Sequence, residues 1–249
     1  MHINGNSYIV DYAMNTISMT ENKSMITTVY KRCETSVMTE EKLRSEMIVI
    51  AHRMYNKELV AATGGNISYR LDKNRFLLTP TGRCKGDLTE DDLLVCDEEG
   101  KPLEEGVITS EASMHLEAYL RRPDINAIVH AHPPYTVALS MAGIPIEGNL
   151  LPEAIIAFGQ VPTSNFAIPS TNEGAIVIRK LIDTHNALIL DRHGAVTVGK
   201  SLRNAYYLME RLEYISKVIY LARCIGVPKP LTKDQIRRIQ AVGAVKKET

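Results

Sequence analysis

Two apolar runs, one stopped and one interrupted by turn residues, constrain what this chain can fold into. Residues 127–132 read Ala-Ile-Val-His-Ala-His and stop at Pro133-Pro134. Residues 187–198 are apolar except for Asp191-Arg192-His193-Gly194 in the middle. Short apolar runs bounded by turn residues read as strands, so the second run is two strands or one bent strand. Helical segments alternate with them. One begins near Thr39, an N-cap before Glu40 and Glu41, with Leu43, Met47, Ile50, Ala51 and Met54 on one face. Thr63-Gly64-Gly65-Asn66 breaks it. Residues 66–70 and 75–78 follow as a strand pair joined at Asp72-Lys73-Asn74, and residues 92–96 as a strand closed by Glu99-Gly100. Thr109-Ser110-Glu111 opens a helix that ends near Arg122, before Pro123. Residues 135–141 read as helix, 155–161 as a candidate strand and 172–184 as helix. Ser201 caps the longest helix, with Ala205, Leu208, Leu212, Ile215, Ile219 and Ala222 along one side and Gly226 and Pro228 at its end. A short basic helix covers 233–242. Strands alternating with helices predict an α/β domain.

The 249 residues, 45% of them hydrophobic, suffice for one substantial core. Residues 1–38 differ: rich in Ser, Thr, Asn and Met without apolar period, they read as a poorly ordered extension or as residues upstream of the true start. Met14, Met19, Met25 and Met38 are possible internal starts. Residues 39–249 are expected to form a single domain. Lys plus Arg equals Asp plus Glu, at 29 each, which gives no sign of a broad nucleic-acid-binding surface. Cys33, Cys84, Cys96 and Cys224 form neither a CxxC pair nor a disulfide scaffold. With no signal-peptide pattern and no run of about 18 apolar residues, no membrane association is expected and the cytoplasm is the default location.

Val129-His130-Ala131-His132 is the sharpest chemical feature. Residues i and i+2 of a strand share a face, so both imidazoles project together at the strand end. The bland alternative is two histidines at a polar strand end. His193 adds a third imidazole inside an apolar region, where polar groups are costly without partners; Gly194 equally fits a simple turn. Three histidines leave coordination room, as in catalytic rather than structural zinc sites. Glu111 is the candidate acid/base, placed in the first turn of its helix, where acidic residues are also favoured on electrostatic grounds alone. His115, one turn on, reads as a hydrogen-bonded structural histidine. Gly64-Gly65-Asn66, Thr79-Pro80-Thr81-Gly82 and Thr109-Ser110 could cradle a phosphate through backbone N–H groups, or be plain turns.

Taken in order, Gly65-Asn66-Ile67-Ser68, Leu78-Thr79-Pro80-Thr81-Gly82, Ser110-Glu111, Arg122-Pro123-Asp124, His130-Ala131-His132 and Arg192-His193-Gly194 resemble the class II aldolase/adducin family, in particular its fuculose-phosphate-aldolase-like enzymes. The resemblance spans about residues 40–225. It implies a three-layer α/β/α fold around a central mixed, largely antiparallel sheet, and a homo-oligomer, commonly a homotetramer. It implies one divalent ion per subunit, Zn2+ first among candidates, on His130, His132 and His193. It makes Glu111 the catalytic carboxylate, and Gly65, Asn66, Thr81, Gly82, Thr109 and Ser110 the phosphate-binding positions. The implied reaction is cleavage of a ketose 1-phosphate, such as fuculose 1-phosphate or a related deoxy or methylthio pentulose 1-phosphate. Dihydroxyacetone phosphate and an aldehyde would form through a metal-stabilised enediolate. The family's tyrosine proton donor has no counterpart at Asn149-Leu150-Leu151-Pro152-Glu153, and Tyr135 is the nearest tyrosine in sequence. Leu150-Leu151 would suit a deoxy or thioether-bearing aldehyde.

Three rivals stand on the same motifs. A 4-epimerase relative typically carries Asp where Glu111 stands. Dehydratase and decarboxylase branches share the metal site. A non-catalytic adducin-like interaction module would have lost the metal ligands, which are all present.

Overall fold

The computed structural model describes residues 39–245. The extension expected over residues 1–38, with its alternative starts, lies outside them. Six strands form one sheet: β1 (Asn66–Arg70), β2 (Phe76–Leu78), β3 (Leu94–Cys96), β4 (Ala127–Ala131), β5 (Ala187–Leu190) and β6 (Gly194–Gly199), in the order β3-β2-β1-β4-β6-β5. All five pairings are antiparallel. Among the described residues, parallel character is confined to an isolated bridge, Thr163 to Ile189. The helices are α1 (Glu40–Asn56), α2 (Ala112–Arg121), α3 (Pro134–Met141), α4 (Pro152–Ala157), α5 (Glu173–Ile178), α6 (Leu202–Ile225) and α7 (Lys233–Val245), with a 3-10 turn at Glu90–Asp92.

The strands are apolar at nearly every position because both faces are covered. Ile67, Leu77, Val95, Val129 and Ile189 pack with α1, α3, α4 and α6. Leu78, Leu94, Ile128, Leu188, Val196 and Val198 pack with α2 and α5. Burying each such side chain contributes roughly 1.5–3 kcal/mol. Three layers result, as the family resemblance implies. Among the described residues, no helix is long and apolar enough to cross a membrane.

The sequence expectations hold for the strand pair β1–β2, for β4, and for the split of residues 187–198 into β5 and β6. They need correction elsewhere. Residues 155–161 are no strand: α4 occupies Pro152–Ala157, with Pro152 in its first turn and left-handed Gly159 (φ 69) just past its end. Only Val161 makes an isolated bridge, to Ile146. The helix expected over 172–184 shortens to α5, since Gly174 and the β-branched run Ile176-Val177-Ile178 weaken helix propagation. The chain then continues in turns. Glu111 is not in the first turn of α2 but just ahead of it, at the N-cap position with φ −101 and ψ 16.

Two contacts fix the ends of β4 and β6. Ser201 caps α6 by accepting from the Asn204 backbone N–H at 3.2 Å. Glu213, in the middle of α6, accepts from Tyr135 N (2.9 Å), Thr136 N (3.0 Å) and Thr136 Oγ1 (2.9 Å) at the start of α3. That clamp holds the chain immediately after His132.

Candidate active site

His130 lies on β4 and His132 one residue beyond it. The Nε2 atoms of the two rings are 3.1 Å apart. His193 reaches them from the β5–β6 turn. There Arg192 takes a left-handed conformation (φ 57), and its backbone N–H donates to Ser140 Oγ at 3.0 Å. Ser140 Oγ in turn donates to Asp191 Oδ1 at 3.0 Å, so α3 holds the turn that carries His193. The three rings meet pairwise with centroids 4.9 Å apart. Glu111 closes the group, with Oε2 3.1 Å from His130 Nε2 and Oε1 3.7 Å from His193 Nε2. One ligand-type atom from each of Glu111, His130, His132 and His193 falls within 4.8 Å of all the others.

This donor set suits a divalent ion. Ligands 2.0–2.1 Å from a tetrahedral ion lie about 3.3 Å from one another, close to the His130–His132 separation. His130 Nδ1 is 3.0 Å from the Ala195 carbonyl, to which it donates, so Nε2 is the nitrogen turned toward the cluster. Burial, and then the neighbouring His130 and His193 rings, push the pKa of His132 down to about 3; burial and His130 push that of His193 down to about 4. Both rings are therefore neutral near pH 7, the form that binds metal. Burial works against the charge of Glu111. His130, the Asn66 amide and His193 outweigh it and hold the carboxyl well below the usual range.

Glycines let the cluster close. A Cβ on Gly64 would sit 2.9 Å from His132 Nδ1, and one on Gly194 2.9 Å from His132 Cδ2 and 3.0 Å from His130 Cε1. Gly65 is left-handed (φ 69), and its Cα faces the His130 carbonyl too closely for any side chain.

The three expected phosphate loops converge beside this cluster. Asn66 leads into β1 next to β4, its Nδ2 donating to Glu111 Oε2 at 2.8 Å. Thr79 and Thr109 are joined by a backbone bond of 3.2 Å, and Thr81 N donates to Val107 O at 3.0 Å. Thr81, Gly82 and Ser110 are exposed, Gly64 is half-buried, and Gly65, Asn66 and Thr109 are buried. The Ser110 hydroxyl donates to Ser170 Oγ at 2.8 Å, so the loop around left-handed Ser170 (φ 61) also borders the site. Beside Glu111 and His193 a small cavity is lined by Met114, Ala167, Ile168 and Leu190. Leu150 and Leu151 instead pack against the sheet's α6-side core. Tyr135 stacks near Tyr220 and Lys217.

Sequence reasoning passed over Lys85. It is 1% exposed, and its ammonium donates to Thr63 O (3.1 Å) and Arg83 O (2.8 Å), tying the loop before Gly64 to the loop after Gly82. Burial pushes its pKa down to about 8. Its place between two glycine-containing turns was the available signal.

Comparison with known proteins agrees with the geometry. Residues 45–220 match the family model described as Class II Aldolase and Adducin N-terminal domain. The chain is 37% identical over 182 residues to an L-fuculose phosphate aldolase of Methanococcus maripaludis, covering 73% of this chain and 98% of that protein. It is 31% identical over 192 residues to a 3-oxo-tetronate 4-phosphate decarboxylase of Pectobacterium atrosepticum, covering 76% and 88%. A solved L-fuculose 1-phosphate aldolase superposes with a TM-score of 0.74 at 30% identity, covering 82% of this chain and 97% of the other.

Proposed function

The chain belongs to the class II aldolase and adducin family, and from that footing we propose that it is a metal-dependent aldolase acting on a ketose 1-phosphate. Fuculose 1-phosphate or a related deoxy or methylthio pentulose 1-phosphate is the proposed substrate class. Dihydroxyacetone phosphate and an aldehyde are the products. The observation that carries the proposal is the convergence of three imidazoles and one carboxylate within 4.8 Å beside three loops rich in backbone donors.

His130, His132 and His193 are the proposed ligands of one divalent ion, with zinc the first choice for an imidazole set. Such an ion supplies Lewis acidity toward a ketone and its neighbouring hydroxyl. Glu111 handles the proton. Held ionised by its neighbours, it is in the base form, suited to take a proton from C3 in the bond-forming direction. In cleavage the proton lost by the C4 hydroxyl as the C3–C4 bond breaks balances the one that Glu111, protonated in exchange with solvent, delivers to C3. Gly65, Thr81, Gly82, Thr109 and Ser110 are proposed to cradle the phosphate, with Asn66 at the inner edge, where its amide already holds Glu111. A turn-built cradle suits a chain with no net charge. The proposed setting is a soluble homotetramer in the cytoplasm.

Decarboxylation is the second reading, favoured by the Pectobacterium relative. Both reactions leave an electron pair on a carbon next to a carbonyl, so one carboxylate and one set of histidines could serve either. The test is to incubate metal-loaded protein with fuculose 1-phosphate, 5-deoxyribulose 1-phosphate, ribulose 5-phosphate and 3-oxo-tetronate 4-phosphate. Formation of dihydroxyacetone phosphate supports the aldolase. Release of carbon dioxide from the oxo-acid alone, or epimerisation without cleavage, sinks it.

A further inference from the structure

Behind Glu111 lies a row of polar side chains of which the proposed reaction uses only the first, Asn66. Asn66, Ser68, His115 and Tyr119 are each at most 3% exposed. Buried polar groups are costly unless each finds a partner, and here every one does. Asn66 Nδ2 meets Glu111 Oε2 at 2.8 Å, and Asn66 Oδ1 meets His115 Nε2 at 2.5 Å. His115 Nδ1 meets Ser68 Oγ at 2.6 Å, and Ser68 Oγ meets the Tyr119 hydroxyl at 2.8 Å.

The row follows from two periodicities. Asn66 and Ser68 are i and i+2 on β1, so they share a face of the sheet. Glu111, His115 and Tyr119 are i, i+4 and i+8 along the start and body of α2, so they share a stripe of the helix. The two series interdigitate as Glu111, Asn66, His115, Ser68, Tyr119. Arg70, next on the same strand face, continues it: its guanidinium donates to the Tyr119 carbonyl at 2.6 Å and lies 4.9 Å from the Tyr119 ring centroid.

Chemistry sets the direction of every hydrogen. The Asn66 NH2 donates to Glu111 Oε2, so its carbonyl oxygen faces His115. His115 Nε2 must then carry the ring's proton. Burial pushes the His115 pKa down to about 3, so the ring has that one proton only, and Nδ1 accepts from the Ser68 hydroxyl. Ser68, having donated, accepts from Tyr119 at 2.8 Å; the Tyr119 hydroxyl also lies 3.3 Å from the Asn126 carbonyl, a longer alternative for its one hydrogen. The three links from Ser68 to Glu111 point head to tail, and the shorter Tyr119 bond extends them. An apolar strand–helix contact would pack at least as well, so packing alone does not account for a satisfied polar chain ending on the carboxylate.

We propose that Ser68, His115 and Tyr119 are positioning residues that lock the Asn66 amide, and through it fix one oxygen of Glu111 against the metal-binding histidines. With His115 in place, Asn66 cannot flip without setting its oxygen against an anion and its NH2 against an N–H. The consequence for Glu111 rests on its proposed acid/base role; the hydrogen-bond direction does not.

The test uses metal-loaded protein. Imidazole nitrogen NMR at neutral pH is expected to find His115 protonated on Nε2 and bare on Nδ1. His115→Leu is expected to keep the wild-type metal content and KM and to lose kcat by on the order of tenfold or more, since a bond to a charged group is weakened at its far end. His115→Gln, whose amide can still donate to Asn66, is expected to recover most of that loss. Ser68→Ala, a smaller change should His115→Leu not fold, is expected to mix the two ring tautomers and lower kcat less. An Nδ1-protonated ring in the wild type overturns the proposal. So does unchanged kcat in a folded His115→Leu or Ser68→Ala protein, or failure of Gln to surpass Leu. If the wild type cleaves no sugar phosphate, the aldolase reading falls while the tautomer result still judges the relay.

Discussion

The bare Cα of Gly64 packs against the His132 ring, closely enough that an added Cβ would fall 2.9 Å from Nδ1. That contact sets how far His132 can lean toward His130, and so how tightly the three imidazoles can share an ion. Gly64→Ala is expected to weaken metal binding by about tenfold, the order of loss typical of disturbed groups supporting a ligand. Competitive chelator titration measures it. Unchanged affinity would show that the ring has room to spare.

His132→Ala removes a proposed ligand outright. Metal content by elemental analysis is expected to fall to background, with lyase activity lost alongside. Retention of one tightly bound ion per chain would refute the ligand assignment. In the wild type, stripping the ion is expected to lower Tm by on the order of 10 °C, because saturation at a thousandfold excess over Kd is worth about 4 kcal/mol. Scanning calorimetry with and without chelator checks it.

Lys85 bridges the Thr63 and Arg83 carbonyls, so Lys85→Met unties two of the proposed phosphate loops. KM for a phosphorylated sugar is expected to rise about tenfold or more, as for losing a charged hydrogen-bonding group, with metal content unchanged. Since the ammonium loses its proton at about pH 8, wild-type KM is expected to rise above that pH. A flat KM across this range would show that the phosphate loops do not depend on the charged brace.

Acid sensitivity of the metal-free protein follows from His115. Its pKa is about 3 folded against 6.5 for a free histidine. Between those values the unfolded chain binds more protons, so stability rises with pH across the window and is lost as pH falls through it. One such group gives a slope of about 1.4 kcal/mol per pH unit. His132 and His193 add slopes of the same sign. Urea unfolding from pH 6 to 4 is expected to be shallower by about one proton in His115→Leu. An identical slope would show that His115 is already protonated when folded.

The clustering of the three histidines was legible because strand periodicity alone brings His130 and His132 to one place, and His193 stood out as a polar break in an apolar run. Glu111 was identifiable, but not its position ahead of α2. Residues 155–161 misled because Ile155-Ile156-Ala157-Phe158 is apolar enough for a strand, while Pro152 and the left-handed Gly159 decide otherwise. Lys85 and the row behind Glu111 were hidden for a different reason. A buried lysine reads as polar surface until the fold shows what surrounds it, and His115, expected as a hydrogen-bonded structural histidine and found so, had no partners that the sequence could name. Only the pairing of β1 with α2 turns His115 from one residue of an amphipathic helix into a partner of Asn66.

β4 lies between β1 and β6, and the bond from His130 to Ala195 spans 65 residues of chain. An unfolded polypeptide can offer an ion the His130-Ala131-His132 pair, but His193 joins only after that long loop has closed, and Glu111 only once β1 has also docked. An ion of the proposed kind would therefore have no complete cage to enter until the slow, non-local pairings of folding are made. Metal uptake would then serve as a clock for the last of them.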